Sequence, residues 1–136
     1  MRAARDSDAA GIFPIAAEFA TSFVLERGSF VRAFGCILRG RASCLLVGEL
    51  DGRVVGYLLG FEHATFFANG PVAWVEEIAV ASTHRRNGIG RALMAGFEQW
   101  AISRGSRQIA LATRRAGAFY TALGYGESAT YFRKRL

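Results

Sequence analysis

Residues 71–94 read PVAWVEEIAVASTHRRNGIGRALM, and they contain the strongest signal in the chain. An apolar strand leads into a short turn with two arginines, and Asn87-Gly88-Ile89-Gly90 then opens a helix. Glycines let the backbone approach phosphate oxygens closely. The first amides of a helix have no intrahelical acceptor, and the helix dipole favours negative charge there. Because arginine adds a fixed positive charge and several donors, this pattern predicts a site for a diphosphate.

Two other phosphate motifs fit this glycine pattern poorly. The run Gly88-Ile89-Gly90-Arg91-Ala92-Leu93 begins like a dinucleotide fingerprint, but Leu93 stands where the third glycine is required. Only 46 residues follow Gly90, which is too few for the rest of a doubly wound domain. The sequence contains no G-x-x-x-x-G-K-S/T, so a P-loop nucleotidase is not supported.

Two linked segments resemble the GNAT family of N-acetyltransferases. Arg85-x-x-Gly88-x-Gly90 is similar to the acetyl-coenzyme A signature of that family, Q/R-x-x-G-x-G/A. Residues 116–125, AGAFYTALGY, resemble the family segment A-x-x-F-Y-x-x-L-G-F, in the family's order and at its usual separation. The resemblance implies a single α/β domain over residues 1–136, with a mixed, mostly antiparallel central sheet flanked by helices.

The resemblance also implies acetyl-coenzyme A as the co-substrate and no metal. In the family, the strand backbone at Ile78–Val80 pairs with the pantetheine arm, and the amides of the turn bind the pyrophosphate. Thr113 replaces the asparagine that commonly begins the second family segment, and it keeps a hydroxyl on a shorter side chain. The implied cofactor-binding residues are Ile78, Ala79, Val80, Arg85, Arg86, Asn87, Gly88, Ile89, Gly90, Arg91 and Thr113.

Two side chains are implied in catalysis. Tyr120 stands where many family members hold a tyrosine near the thioester sulfur, so the resemblance implies that it protonates the departing thiolate. The other interpretation of Tyr120 is a half-buried core aromatic, and Tyr125 is expected to pack. The acceptor amine must lose a proton before it attacks, and a carboxylate can take it. The resemblance favours Glu76, with Glu77 or water as alternatives, since neighbours on a strand face opposite sides.

Composition predicts one globular, cytoplasmic domain. The chain has 136 residues, of which 51% are hydrophobic and 21% are charged, as in ordinary globular proteins. The N-terminus does not resemble a signal peptide, and no apolar run approaches the ~18 residues that span a bilayer. Cys36 and Cys44 lack metal-like spacing, so we expect two reduced thiols packed as small hydrophobes.

Charge is distributed unevenly along the chain. Residues 1–83 hold seven Arg and nine Asp or Glu, whereas residues 84–136 hold ten Arg or Lys and two Glu. The basic part contains the phosphate pattern, and a positive field there would help to capture a phosphate ligand. RNA binding is an alternative, although the arginines at 104, 107, 114 and 115 are not interleaved with aromatics as in a stacking surface. A non-catalytic acyl-coenzyme A sensor is another alternative, and the acceptor amine is not identified.

The periodicity predicts alternating helices and strands. Ile12, Ile15, Phe19 and Phe23 fall at helical spacing, so we expect that helix to lay one face on the core. The later predicted elements are a helix after Ser29, strands 43–50, 53–63 and 72–80, a helix after Gly88, a strand at 108–112, a helix at 116–123 and a closing strand at 126–136. A closing strand at a sheet edge needs cover or a partner, which favours a homodimer.

Overall fold

The computed structural model describes residues 1–136, and between residues 9 and 122 the helices and strands follow the predicted order. The strands are β1 (Arg2–Ala3), β2 (Ser43–Leu50), β3 (Arg53–His63), β4 (Val72–Val80) and β5 (Ile109–Leu111). The helices are α1 (Ala9–Phe19), α2 (Arg27–Arg39), α3 (Ile89–Ser103) and α4 (Gly117–Ala122), and two short 3-10 helices cover Asp6–Asp8 and Ser82–His84. The predicted bounds of β2, β3 and β4 are confirmed.

The five strands form one mixed sheet in the order β1-β2-β3-β4-β5. The first three pairings are antiparallel, and β4 and β5 are parallel. The β2–β3 hairpin turns at Asp51-Gly52, where both residues have positive φ, at 50° and 76°. Asp-Gly turns of this kind match the twist of the flanking strands, which is why the sequence Asp51-Gly52 suits this hairpin. The predicted α/β class with a mostly antiparallel sheet is confirmed.

Helices cover both faces of the sheet and make two separate hydrophobic clusters. Helix α3 covers one face, where Leu93, Met94 and Phe97 are fully buried against Leu58 and the residues beside it. Helices α1 and α2 cover the other face. Their side chains Ile12, Ile15 and Phe34 pack on Val47, Tyr57 and Leu59 of the strands. The candidate site lies where β4 and β5 separate between these two layers.

Glycines in β2 and β3 form a shallow groove beneath α3. Gly48 and Gly56 are cross-strand partners. A Cβ at Gly48 would lie 2.7 Å from Cγ2 of Ile89, and one at Gly56 would lie 3.2 Å from the same atom. Gly60 makes room for the ring of Phe97 in the same way. These glycines therefore let α3, and with it the turn before it, approach the sheet closely.

The predicted closing strand does not form. Residues 126–136 follow α4 without any strand pairing, and most of their side chains are exposed. The edge that this segment would join is β5, which has only three strand residues and offers few backbone groups to a neighbour. Instead, the guanidinium of Arg133 donates to Ser22 Oγ at 2.9 Å. The segment is thus held by side-chain contacts.

Helix α1 is also shorter than its hydrophobic spacing predicted. It ends at Phe19, so the chain leaves the helical path before Phe23. Ile12 and Ile15 face the core as expected, but Phe19 and Phe23 are 46% and 71% exposed. The prediction that these two phenylalanines pack on the core is therefore wrong.

Candidate active site

The centre of the site is a gap between β4 and β5. Their pairing ends at Val75 and Leu111, whereas β4 continues to Val80. From residue 76 onward, no strand pairs with β4 on the β5 side. Apart from the Val80 carbonyl, which accepts from Arg85 Nε, the backbone groups of Ile78–Val80 on that edge are thus available to an extended ligand, in the manner of strand addition.

The turn after β4 presents a run of free amides. None of the backbone N–H groups of residues 86–91 donates a hydrogen bond within the chain. The first helical bond of α3 runs from the amide of Ala92 to the carbonyl of Gly88, at 3.0 Å. The free amides lie at the positive end of the dipole of a 15-residue helix. This combination is an anion site of the kind that binds phosphates.

The turn has an unusual backbone. Gly88 has φ 77° and caps α3 in the left-handed region, and Arg86 also has positive φ, at 65°. Glycine accepts this conformation readily, whereas a non-glycine residue there costs free energy. The sequence predicted the need for Gly88. It gave no sign that Arg86 would share the conformation, because arginine has no preference for it.

The two arginines of the turn, and Arg91 in the first turn of α3, have different surroundings. Arg85 donates from Nε to the carbonyl of Val80 at 3.2 Å, and its Nη2 lies 3.6 Å from Oε1 of Glu18. Arg85 therefore connects the turn to α1, which the sequence did not predict. Arg86 and Arg91 are exposed and have no carboxylate partner. They are the side chains most available to an incoming phosphate.

A β-bulge changes the arrangement of the two candidate carboxylates. Leu59 pairs with Glu77 and Gly60 with Val75, so Glu76 is an extra residue in β4. The strict alternation expected for Glu76 and Glu77 is therefore interrupted. Glu76 is exposed, whereas Glu77 is half-buried and accepts a hydrogen bond from the Tyr57 hydroxyl at 2.7 Å.

Tyr57 is a site residue that the sequence analysis missed. It is 2% exposed, and burial together with the neighbouring Glu77 carboxylate raises the pKa of its phenol above the ordinary value. The phenol therefore stays protonated and donates to Glu77. In the sequence, Tyr57 is one more apolar residue of β3, and only the register of two strands shows that its hydroxyl reaches Glu77.

Tyr120 lies in α4, between the core and the surface. It is 8% exposed and belongs to the cluster under α3. No buried polar side-chain atom lacks a hydrogen-bond partner, and the Tyr120 hydroxyl makes none within the chain, so this oxygen reaches the surface. Burial raises the pKa of the phenol above its ordinary value. Tyr120 therefore packs with its ring and leaves a protonated hydroxyl free.

Thr113 and Tyr125 fix the position of α4. The Thr113 hydroxyl accepts the amide of Ala116 at 3.1 Å and so caps the start of α4. The Tyr125 hydroxyl donates to Glu98 of α3 at 2.9 Å, and its ring lies 6.0 Å from that of Tyr120. Tyr125 thus packs, as predicted. Thr113 has a structural role beside the cofactor contact implied for it.

These features agree with a comparison to known proteins. Residues 11–125 match the sequence model of the acetyltransferase (GNAT) family. The chain belongs to the GNAT family. The predicted family is thereby confirmed, and with it the enzyme class, that of the GNAT acetyltransferases.

Solved structures show the same fold. A transcriptional regulator from Bacillus halodurans is 25% identical, with a TM-score of 0.86, covering 99% of this chain and 97% of that one. Glucosamine-6-phosphate N-acetyltransferase from Arabidopsis thaliana is 19% identical, with a TM-score of 0.86 and coverage of 98% and 95%. An aminoglycoside N-acetyltransferase, AAC(6')-Iy in complex with CoA, is 19% identical, with a TM-score of 0.82 and coverage of 99% and 93%.

The two cysteines of this GNAT chain are free thiols in different surroundings. Cys44 is buried in the α3-face cluster, and burial raises the pKa of its thiol to about 11. It is therefore not a nucleophilic thiolate at neutral pH. Cys36 is exposed on α2, so the prediction that it packs as a small hydrophobe is wrong.

Other features of the GNAT chain lie outside the gap. A cavity of about 360 Å³ is lined by residues 17 and 20–25 at the end of α1, and another of about 320 Å³ lies beside Cys36 and Phe61. No group of three or more His, Cys, Asp or Glu side chains is arranged to hold a metal ion. None of the helices is both long and apolar enough to cross a membrane.

Proposed function

We propose that this GNAT chain is an acetyl-coenzyme A-dependent N-acetyltransferase that works by direct transfer to an acceptor amine. The observation that carries the proposal is the run of free amides at residues 86–91, next to the unpaired edge of β4 at Ile78–Val80. A diphosphate would bind the free amides, and an amide-containing arm would pair with the edge of β4. Few other ligands combine these two requirements.

The binding roles follow from the surroundings of each residue. The amides of residues 86–91 would hold the pyrophosphate oxygens, and Arg86 and Arg91 would add charge from outside. Arg85 would fix the turn through Val80 and Glu18 rather than lie entirely on the phosphate. Thr113 would orient α4, and its hydroxyl proton remains available to the ligand.

The chemistry requires the ammonium group of the acceptor to lose two protons, one before attack and one after it, and the departing sulfur to gain one. We assign the first deprotonation to a carboxylate of the bulge, Glu76 by preference because it is exposed, with Glu77 as the alternative. The neutral amine nitrogen then attacks the thioester carbon to form the C–N bond, and the nitrogen releases its second proton to solvent. The C–S bond breaks as Tyr120 donates its phenolic proton to the departing sulfur, and the phenolate is reprotonated from solvent. Holding both substrates together supplies much of the rate gain.

We also propose a cytoplasmic homodimer. The two free thiols are compatible with a reducing compartment. The outer edge of β5 has no strand partner, and Tyr131, Phe132 and Leu136 are exposed large apolar side chains. A second copy could cover both features. Light scattering that gives the monomer mass at high micromolar concentration would reject the dimer.

A direct experiment tests the proposed function. Calorimetric titration with acetyl-coenzyme A should show one site per chain, and an amine panel should release coenzyme A thiol in a thiol assay. Binding without thiol release would instead indicate an acyl-coenzyme A sensor. Binding of RNA at moderate salt, with no affinity for acetyl-coenzyme A, would indicate an RNA-binding protein and would reject the proposal.

A further inference from the structure

The C-terminal segment 126–136 crosses from one face of the sheet to the other. At its start, Tyr125 is fixed on the α3 face through Glu98. Near its end, Arg133 donates to Ser22, and the guanidinium carbon of Arg135 lies 4.5 Å from the centroid of the Phe23 ring. Ser22 and Phe23 follow α1, which packs on the opposite face. The segment therefore connects the α3 face at its start with the α1–α2 connection near its end.

The contact region of Arg133 and Arg135 adjoins both the gap and a cavity. Ser22 and Phe23 belong to the connection between α1 and α2, which lines the cavity of about 360 Å³. The end of α1 is in turn tied to the phosphate turn through Glu18 and Arg85. Glu77 accepts from Tyr57 of the cluster under α1 and α2, so an acceptor that reaches the gap from that face would meet this connection and the arginines that contact it.

The cations of this region have no counter-ions. The ion pairs of the structure involve only Arg2, Arg85 and Arg104. Arg133, Lys134 and Arg135 thus have no carboxylate within 4.0 Å, and neither have Arg114 and Arg115 in the connection between β5 and α4. Arg133 and Arg135 are held by a hydroxyl and an aromatic ring, which orient them without neutralising their charge. Uncompensated positive charges of this kind attract anions and repel cations.

We infer that the acceptor is a primary amine that also carries an anionic group, a carboxylate or a phosphate. Arg133 and Arg135 would bind the anionic group at the α1–α2 connection, while the amine faces Glu76 and Glu77 in the bulge of β4. Arginine suits this task because its planar group pairs with both kinds of oxyanion. The inference rests on the proposed function and adds the substrate class. It disfavours polycationic acceptors such as aminoglycosides.

Matched acceptors test the inference, with acetyl-coenzyme A saturating and kcat/KM measured by thiol release. One pair is benzylamine and 4-(aminomethyl)benzoate, and the other is glucosamine and glucosamine 6-phosphate. In each pair the members differ only by the anionic group, so the two pairs separate carboxylate from phosphate recognition. We expect the anionic member of at least one pair to have a kcat/KM about tenfold or more higher, as for a charge-assisted hydrogen bond. Kanamycin, a polycation, should be a poor acceptor.

Variants test whether the C-terminal segment 126–136 is the source of the preference for anionic acceptors. The double variant Arg133→Gln, Arg135→Gln should reduce the ratio between anionic and neutral acceptors to near one. Arg107→Gln removes one arginine charge from an exposed position between α3 and β5, and the ratio of kcat/KM between anionic and neutral acceptors should stay as in the parent chain. Circular dichroism and acetyl-coenzyme A affinity check that each variant is folded.

Each contrary outcome has a defined meaning. Equal kcat/KM within both pairs, a preference for kanamycin, or a preference that survives the double variant would overturn the inference and leave the proposed function intact. Binding of acetyl-coenzyme A without turnover of either anionic amine would also overturn it. A chain that binds no acetyl-coenzyme A would overturn the proposed function, and the inference with it.

Discussion

The two tyrosines of the site differ in what their hydroxyl groups contact. The Tyr57 hydroxyl is buried and committed to Glu77 at 2.7 Å, whereas the Tyr120 hydroxyl has no partner within the chain. A protonated phenol without a partner can donate to a ligand at little cost, because no existing hydrogen bond must be broken. This difference makes Tyr120 the better candidate for the general acid and gives Tyr57 a positioning role.

Replacing Tyr120 by phenylalanine should lower turnover with little effect on folding. The substitution removes one oxygen from a ring that stays packed, so thermal stability and acetyl-coenzyme A affinity should change little. General acid catalysis typically contributes ~10²–10⁴-fold, and kcat should fall at least ~10-fold even where water substitutes in part. Burial raises the pKa of Tyr120 above the ordinary phenol value of 10.0. The alkaline decline of activity in the parent should therefore begin above that value, and the variant should show no decline from this group.

Tyr125→Phe is the matched control for that experiment. It also removes one phenol oxygen, but from the hydrogen bond to Glu98, so it should lower stability more than turnover. Full turnover and an unaltered pH profile in Tyr120→Phe would leave Tyr120 as a packing residue.

The bulge carboxylates should be separable by what their replacement changes. Glu76→Gln should lower kcat with little change in the melting temperature, because an exposed glutamine cannot take a proton from the amine. Glu77→Gln should instead lower the melting temperature, because it weakens the bond from buried Tyr57. If Glu77→Gln lowers kcat and Glu76→Gln does not, the assignment of the base to Glu76 is wrong.

Among the elements, the turn between β4 and α3 depends on one backbone angle more than on side-chain space. A Cβ at Gly88 would meet no atom within 4 Å, but φ is 77°. A β-branched residue there is strained by roughly 1–2 kcal/mol or more. The turn can relieve the strain by changing the directions of its amides, so the loss would appear in phosphate binding.

Gly88→Val should therefore abolish or strongly weaken acetyl-coenzyme A binding in calorimetry while the protein remains folded. Gly105→Val is a close control, because Gly105 has φ 78°, has equally open space and lies after the other end of α3. It should impose similar strain without loss of affinity. Unchanged affinity in Gly88→Val would mean that this turn is not the phosphate site.

The elements also show how far sequence patterns reach. The bounds of β4 and the start of α3 were predicted because an apolar run and the Gly88 cap are local signals. The bulge at Glu76 was not predicted, since it depends on the register against Leu59 and Gly60 of another strand. The closing strand was predicted at residues 126–136 as the last element of the fold, but strand formation also needs a long enough neighbour, and β5 has three residues.

Across the whole molecule, an ion pair joins the first residues to the sheet. Asp8 is 5% exposed, and its carboxylate accepts from Arg2 at 2.7 and 2.9 Å and from the amide of Arg5 at 2.7 Å. Arg2 also binds Glu49 of β2. The hydrogen bond from Arg2, above all, lowers the pKa of Asp8 below its ordinary value. This network holds β1 and the start of α1 against the far edge of the sheet.

Asp8→Asn should lower the free energy of unfolding by about 2 kcal/mol at neutral pH, since it removes a charged acceptor from a nearly buried network. A lowered folded-state pKa gives stability that is present above the ordinary carboxyl value and disappears as pH falls through the folded-state value. The difference in free energy of unfolding between the parent chain and Asp8→Asn should thus be constant above about pH 5 and become smaller in acid. Urea unfolding at several pH values measures it. Asp6→Asn, at an exposed and unpaired neighbour, should show almost no difference at any pH.

The seating of Ile89 against Gly48 and Gly56 has a thermodynamic consequence. It fixes the first residue of α3, and with it the free amides of the turn, before any ligand is present. The conformational entropy of the turn is therefore lost when the chain folds, and ligand binding does not have to order it again. A preorganised anion site of this kind should bind its phosphate with little entropic penalty from the protein.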